Sequence, residues 1–521
     1  MSTIRPISLF DLLGPVMTGP SSSHTAGAVR IGLLNRYLFD GVPEKAVIRY
    51  FGALSQTYGG HLTDSANVAG LLGYKVNAPE IGFALKIAQK KGIEIIIETF
   101  PDSTRNPATI EIISSKKEKT ITVSARTIGG GEIIVESIDS IPLMLSGKEE
   151  GTILWGDTKK VLSIAEYYQD FAVLSNDLKD EERIAVLIRK KGIKSKIKEE
   201  RDLSASELTS LFDYQIIEKI PLYSSISEIL AVAKEKNQTI YDIAIDFESK
   251  RTGKTETEIL KYIDSLRKVM LSSIETGIKG NNNMVGGIMD GKDSSRLMKN
   301  IEAGKTVSGT VLPTAVAKAL AAMETNASLG QVVAAPTAGA CGVLPGTIFA
   351  IAENKNSSVE LINKALLSGA LFGTVVASRA PVSGALGGCQ SEIGVASAMA
   401  ASAAVVLGEG SPEQEVHAFS LALKNILGLI CDPVAGPVEV PCIKRNGIGV
   451  ANALAAADMA LAGIESKIPP DEVIQAFMNV QELLPVECRG SQKGGLCITK
   501  TALCMKKEWL KKIENKRKEE F

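Results

Sequence analysis

Three cysteines in the last third of the chain, Cys389, Cys431 and Cys442, have neighbours that suit metal chemistry. They are separated by 431 − 389 = 42 and 442 − 431 = 11 residues. That is too wide for a zinc knuckle built from C-x-x-C pairs. It suits three thiolates brought from separate loops around something larger than one ion. Gly387-Gly388 precedes the first, Asp432-Pro433 follows the second and Pro441 precedes the third. Gly and Pro beside a ligand give tight turns that aim sulfur at a metal, and they leave amides free to bond cluster sulfides. The expectation is an iron–sulfur cluster with one iron open to substrate. Free cysteine is also a common small buried hydrophobe, and spacing alone leaves that reading open.

An open iron is a Lewis acid that can bind an oxygen and help hydroxide depart, the difficult half of dehydrating a β-hydroxy acid. A base must then take the α-proton. Of three histidines, His61 is the first candidate, since it follows Gly59-Gly60 and precedes Thr63 and Asp64. His24 is the second, because its neighbours Ser22, Ser23 and Thr25 suit substrate oxygens. His417 lies at helical spacing in SPEQEVHAFSLALK and reads as structural. A histidine in a Gly-flanked turn also serves as a plain capping group, so the local sequence leaves His61 between these roles. Both turns, residues 19–27 and 59–64, open helical patterns. Hydroxyls and free amides there form a carboxylate or phosphate cradle, or else an ordinary N-cap.

The elements that must position these groups fall into three regions. At 521 residues the chain exceeds one ordinary core. Residues 1–148 read as a compact α+β domain. It has strands at 93–99 (largely buried), 109–113, 120–124 and 132–136, and helices at 64–72 and 81–90. Residues 149–221 are dense in Lys and Glu, with β-like runs at 172–175 and 184–188, and read as a small α+β satellite or structured linker. From residue 222 the chain is helical, with 3.6-residue apolar spacing at 226–236, 240–252 and 256–276. Beyond residue 281 it turns rich in Gly and Ala, which lets backbones approach closely. The fold class is thus multidomain, with an N-terminal α+β domain, a small α+β satellite and a C-terminal all-α catalytic domain.

Composition excludes several classes. Lys plus Arg number 58 against 59 for Asp plus Glu, and this balance argues against a nucleic-acid binder. Seven cysteines, all in the second half of a long chain, do not make a secreted disulfide scaffold. No signal-peptide pattern is seen. The apolar stretches 393–407 and 447–464 are dominated by Ala and Gly, and the second carries Asn452 and Asp458. They read as core helices of a cytoplasmic protein with no membrane partner. No lysine stands in a setting that suits pyridoxal phosphate.

Six motifs carry a family resemblance: GPSSSHTAG at 19–27, GGHLTD at 59–64, IGGG at 128–131, PTAGACGVLPGT at 336–347, SGALGGCQSEIGVASAMAA at 383–401 and CDPVAGPVEVPCIKRN at 431–446. In that order the chain resembles the iron–sulfur L-serine dehydratases (L-serine ammonia-lyases), in the single-chain form with both beta-type and alpha-type domains. The resemblance implies a [4Fe-4S] cluster on Cys389, Cys431 and Cys442, no pyridoxal phosphate, and His61 as the base. It implies Ser22, Ser23, His24, Thr25, Thr63 and Asp64 on the substrate side, L-serine as substrate, and a homodimer. The domains would be 1–148 (beta-type), 149–221 (linker or degenerate ACT-like regulatory domain) and 222–521 (alpha-type). One departure stands out. Where many relatives read ETGxGGLA, this chain reads GSQKGGLC at 490–497, which leaves the fourth ligand open among Cys497, Cys504 or none. Cys341 is expected to be a nearby non-ligand. The alternatives are a related lyase acting on threonine or cysteine, and a non-enzymatic iron–sulfur amino-acid sensor.

Overall fold

The β-branched runs between residues 45 and 145 lie side by side in one six-stranded sheet of a computed structural model. The structure describes residues 6–52, 54–101, 103–106, 108–175, 182–197, 202–217 and 222–520. The chain forms two compact units, residues 23–215 and residues 1–22 with 216–521. The first is α+β and the second mostly helical. The opening 22 residues are thus structurally part of the helical unit, and residues 149–215 share a unit with the strands before them.

In the α+β unit the sheet order is Glu94–Phe100, Lys45–Phe51, Thr109–Lys116, Lys119–Gly129, Glu132–Ile138, Ile141–Leu145. The first pair is parallel and the rest antiparallel. Glu94–Phe100 is half-buried rather than largely buried, because it forms an edge with one neighbouring strand. Helices Gly27–Phe39 and Thr63–Leu72 pack together at the sheet. A Cβ on Gly32 would collide with the Asn67 carbonyl, and one on Gly70 with the Val29 carbonyl, so only glycine permits this approach. Asn67 fixes the register, donating to the Ala28 carbonyl (2.9 Å) and accepting from the Tyr50 hydroxyl (2.9 Å). A second, antiparallel sheet has the order Leu203–Leu208, Gly151–Asp157, Arg183–Ile188, Phe171–Val173. Helix Thr158–Tyr168 covers one face through Val161 and Ala165. The other face sends Ile153, Trp155, Ala185 and Leu187 into the core of the large sheet.

The helical unit is built around Val395–Leu407, which is buried almost throughout. Helices Val343–Lys355, Val359–Arg379, Pro412–Asn425 and Cys442–Leu461 pack against it. Alanine, serine and glycine allow this density. A Cβ on Gly369 would stand 2.5 Å from the Met399 carbonyl oxygen, and the Ser397 hydroxyl donates to the Gly449 carbonyl (2.8 Å). Val359–Arg379 and Gln390–Leu407 are long and apolar enough to cross a membrane, but 83% and 89% of those spans are buried inside the protein as core helices. One short antiparallel ribbon interrupts the helices, pairing Val16–Thr18 with Gln331–Val333. Just before it, the buried carboxylate of Glu248 accepts the Ser8 hydroxyl (2.6 Å) and the Leu9 amide (2.8 Å).

Candidate active site

The histidine candidates belong to the α+β unit. His61 sits at the end of a tight turn that enters Thr63–Leu72. Leu62, in the left-handed region (φ 53°), is the helix N-cap and supplies no side-chain cap. Its imidazole is buried, and its ring lies 4.4 Å from that of His24 at 38°. His24 comes from a π-helical turn, Ser22–Ala26, that leads into Gly27–Phe39. Burial lowers the His24 pKa to about 4, so that imidazole is neutral at ordinary pH. The paired helices start side by side, and this brings the two turns together. Thr25 closes the junction by donating to the His61 carbonyl (2.9 Å), so this hydroxyl positions the His61 turn. Thr63 and Asp64 are both buried; Asp64 accepts the Ser65 amide (2.8 Å), and the Thr63 hydroxyl has no hydrogen-bond partner among the described residues. The side chains of Ser22 and Ser23 lie outside what is described. His417 accepts the Ser466 amide (3.3 Å) in the helical unit, a structural contact.

The three predicted thiols meet in the helical unit. Cys389 is buried just before the π-helical turn Gln390–Gly394, Cys431 stands at the head of a loop and Cys442 opens the helix Cys442–Leu461. The three sulfurs lie close enough together to interact electrostatically. Cys431 is pushed well up, first by the Cys389 thiol and then by burial; Cys442 is pushed up by burial and then by Cys389. Among the described residues, no group of three His, Cys, Asp or Glu side chains is disposed around a single ion. The thiols therefore converge without forming a mononuclear site.

Several groups at this site were not singled out from the sequence. Arg445, one helical turn into Cys442–Leu461, donates to the Cys389 sulfur (3.4 Å) and to the Ile430 carbonyl (2.8 Å), and forms an ion pair with buried Asp432 (2.7 Å). Asn446 donates to the Gly339 and Cys442 carbonyls (2.9 and 3.1 Å) and accepts the Gly342 amide (3.1 Å), tying the PTAGAC turn to the third cysteine. Asn326 bonds the carbonyls of Pro20 (2.9 Å) and Ala338 (3.2 Å), so the first glycine-rich motif is anchored at that same turn. The C-terminal stretch also wraps this loop. The Cys431 amide donates to the Cys488 carbonyl (2.8 Å), the Gly490 amide to the Cys431 carbonyl (2.7 Å) and the Leu496 amide to Asp432 (2.8 Å). Cys497 is buried, with its sulfur 3.2 Å from the Pro433 carbonyl oxygen and its pKa raised to about 11 by burial; Cys504 is exposed. Cys341 packs on the Met323 sulfur (3.5 Å). Most partners of Arg445, Asn446 and Asp432 lie beyond one helical turn in the chain, so no local pattern marks them.

Residues 235–497 match the family model described as serine dehydratase alpha chain, and residues 8–94 match serine dehydratase beta chain. A probable L-serine dehydratase alpha chain of Bacillus subtilis is 44% identical over 55% of this chain and 95% of its own length. The L-serine dehydratase alpha chain of Peptoniphilus asaccharolyticus is 39% identical over 56% and 99%. L-serine dehydratase 1 of Escherichia coli is 29% identical over 94% and 99%, so it spans both units. The chain therefore belongs to the serine dehydratase family, with the alpha-chain and beta-chain regions joined in one polypeptide.

Proposed function

We propose that the protein is an L-serine ammonia-lyase that dehydrates L-serine to pyruvate and ammonia, with a [4Fe-4S] cluster held by Cys389, Cys431 and Cys442. Family membership makes it a lyase. The observation that carries the finer reading is the convergence of three thiols from separate segments beside Arg445. The donor set fits a cluster. Cys431 and Cys442 resist ionising in this buried setting, a cationic group would remove that penalty, and the guanidinium offsets negative charge nearby. When bound, the cluster would supply an open iron as a Lewis acid for the departing hydroxyl.

The chain's own groups account for the rest. His61 takes the α-proton; its buried, turn-fixed position limits its motion, and Thr25 holds that turn. The Thr63 hydroxyl and the Ser22–Ala26 turn offer donors to substrate oxygens. Loss of hydroxide leaves an enamine, which tautomerises and hydrolyses to pyruvate and ammonia.

Anaerobic purification with iron and sulfide counts, beside pyruvate, 2-oxobutyrate and sulfide release from L-serine, L-threonine and L-cysteine, tests the reading. Cluster-level iron and sulfide with pyruvate as the dominant product is expected. Iron-loaded protein that turns over none of the three would make it a sensor instead. His61→Ala should keep the iron content and lower kcat at least 100-fold, the upper range of one acid–base group being roughly 10,000-fold.

A further inference from the structure

Buried carboxylates in the helical unit mostly have two or more partners, though one oxygen of Glu439 has none among the described residues. Glu248 accepts a hydroxyl and an amide, Glu439 the amides of Ile288 and Met289, and Asp432 pairs with Arg445 and the Leu496 amide. Glu392, three residues after Cys389 in the π-helical turn, differs. Its Oε1 accepts the Thr337 hydroxyl (2.7 Å), and among the described residues no ion pair reaches it. Its Oε2 lies over Gly384, where a Cβ would stand 2.5 Å from that oxygen and 3.3 Å from the Cys431 sulfur. A Cβ on Gly339 would stand 3.0 Å from Oε1. Both glycines thus let the carboxylate pack closely against their backbone, and Oε2 shares its surroundings with the Cys431 sulfur. Glu392 keeps partial access to solvent. Glu415, which also has a single hydroxyl partner (Ser402, 3.1 Å), is sealed in the helix core at 3% exposure. An accessible carboxylate with no countercharge, beside three thiols, calls for a cationic occupant with hydrogen-bond donors.

We propose that Glu392 receives the α-ammonium of the substrate and makes the site select an amino acid over the corresponding hydroxy acid. This rests on the L-serine dehydratase reading. The ammonium supplies the missing positive charge and up to three donors, and Thr337 fixes the carboxylate to meet it.

The test compares wild-type, Glu392→Gln and Thr337→Val holoenzymes, reconstituted anaerobically. For each, kcat and KM for L-serine, inhibition by 3-hydroxypropanoate (serine without its amine), and iron and sulfide content are measured. Glu392→Gln should raise KM at least tenfold, leave kcat within about threefold, and keep iron and sulfide content. Its inhibition constant for 3-hydroxypropanoate should be unchanged or lower, and Thr337→Val should shift KM the same way by less. Unchanged KM, equal weakening of L-serine and 3-hydroxypropanoate, or a fall in kcat at constant KM would overturn the assignment. So would loss of iron from Glu392→Gln together with an unmoved KM in Thr337→Val. A wild-type holoenzyme that makes no pyruvate from L-serine is a separate result, which removes the functional reading itself.

Discussion

Arg445 spends its guanidinium on a thiol, a carbonyl and a carboxylate, and its ion pair with Asp432 is almost dry, at 11% and 2% side-chain exposure. Removing only the cation leaves Asp432 as an uncompensated buried charge, which costs on the order of 3–5 kcal/mol. Arg445→Met should therefore lower the denaturant midpoint and weaken iron retention, and Arg445→Met with Asp432→Asn should recover much of the stability without the iron. Equal midpoints for the single and double variants would show that the pair contributes nothing. At this scale the sequence was partly legible. Gly and Pro beside Cys389, Cys431 and Cys442 picked out the three thiols that the fold brings together. Glu392 and Arg445 lay inside quoted motifs yet carried no signal, since each has its meaning only from contacts at Thr337, Gly384, Cys389 or Asp432 that no helical or strand spacing encodes.

Among elements, the pairing of Gly27–Phe39 with Thr63–Leu72 governs where the two histidine turns meet. The contact runs through backbone at Gly32 and Gly70, so bulk at either position must push the helices apart. Gly32→Val should cost roughly 1–3 kcal/mol by overpacking. It should also lower kcat with iron content unchanged, because His61 and His24 ride on the helix starts. Wild-type kcat in a measurably destabilised Gly32→Val protein would separate that crossing from the chemistry. Helical periodicity placed these helices, and alternation placed the central strands. The π-helical turns at Ser22–Ala26 and Gln390–Gly394 were not legible, since one extra residue per turn leaves no mark in apolar spacing. Nor was the half-exposure of Glu94–Phe100, because an apolar run does not say whether its strand has one neighbour or two.

For the molecule as a whole, buried carboxylates set how stability follows pH. Burial raises both Glu415 and Glu248 to about 8. Each keeps its proton in the folded state above the pH at which the unfolded chain releases it. The folded protein then binds more protons, and stability falls as pH climbs from about 4.5 toward 8. Glu415→Gln should flatten that decline by on the order of 2–4 kcal/mol, read from urea midpoints at about pH 5.5 and pH 8.5. An unchanged slope would assign the proton elsewhere. The division of the chain into units was the least legible feature at this scale. Nothing in the composition of residues 1–22 marks them as part of the helical unit, and only their pairing with Gln331–Val333 and their bonds to Glu248 and Asn326 reveal it. That placement has a consequence for synthesis. Ser8 reaches the ribosome exit 240 residues ahead of Glu248, a delay of roughly ten to fifty seconds at ordinary elongation rates. Ser8 and Leu9 must wait for Glu248 throughout, while residues 23–215 emerge and can fold first. The strand Val16–Thr18 waits longer still, so a segment translated early is among the last to find its place.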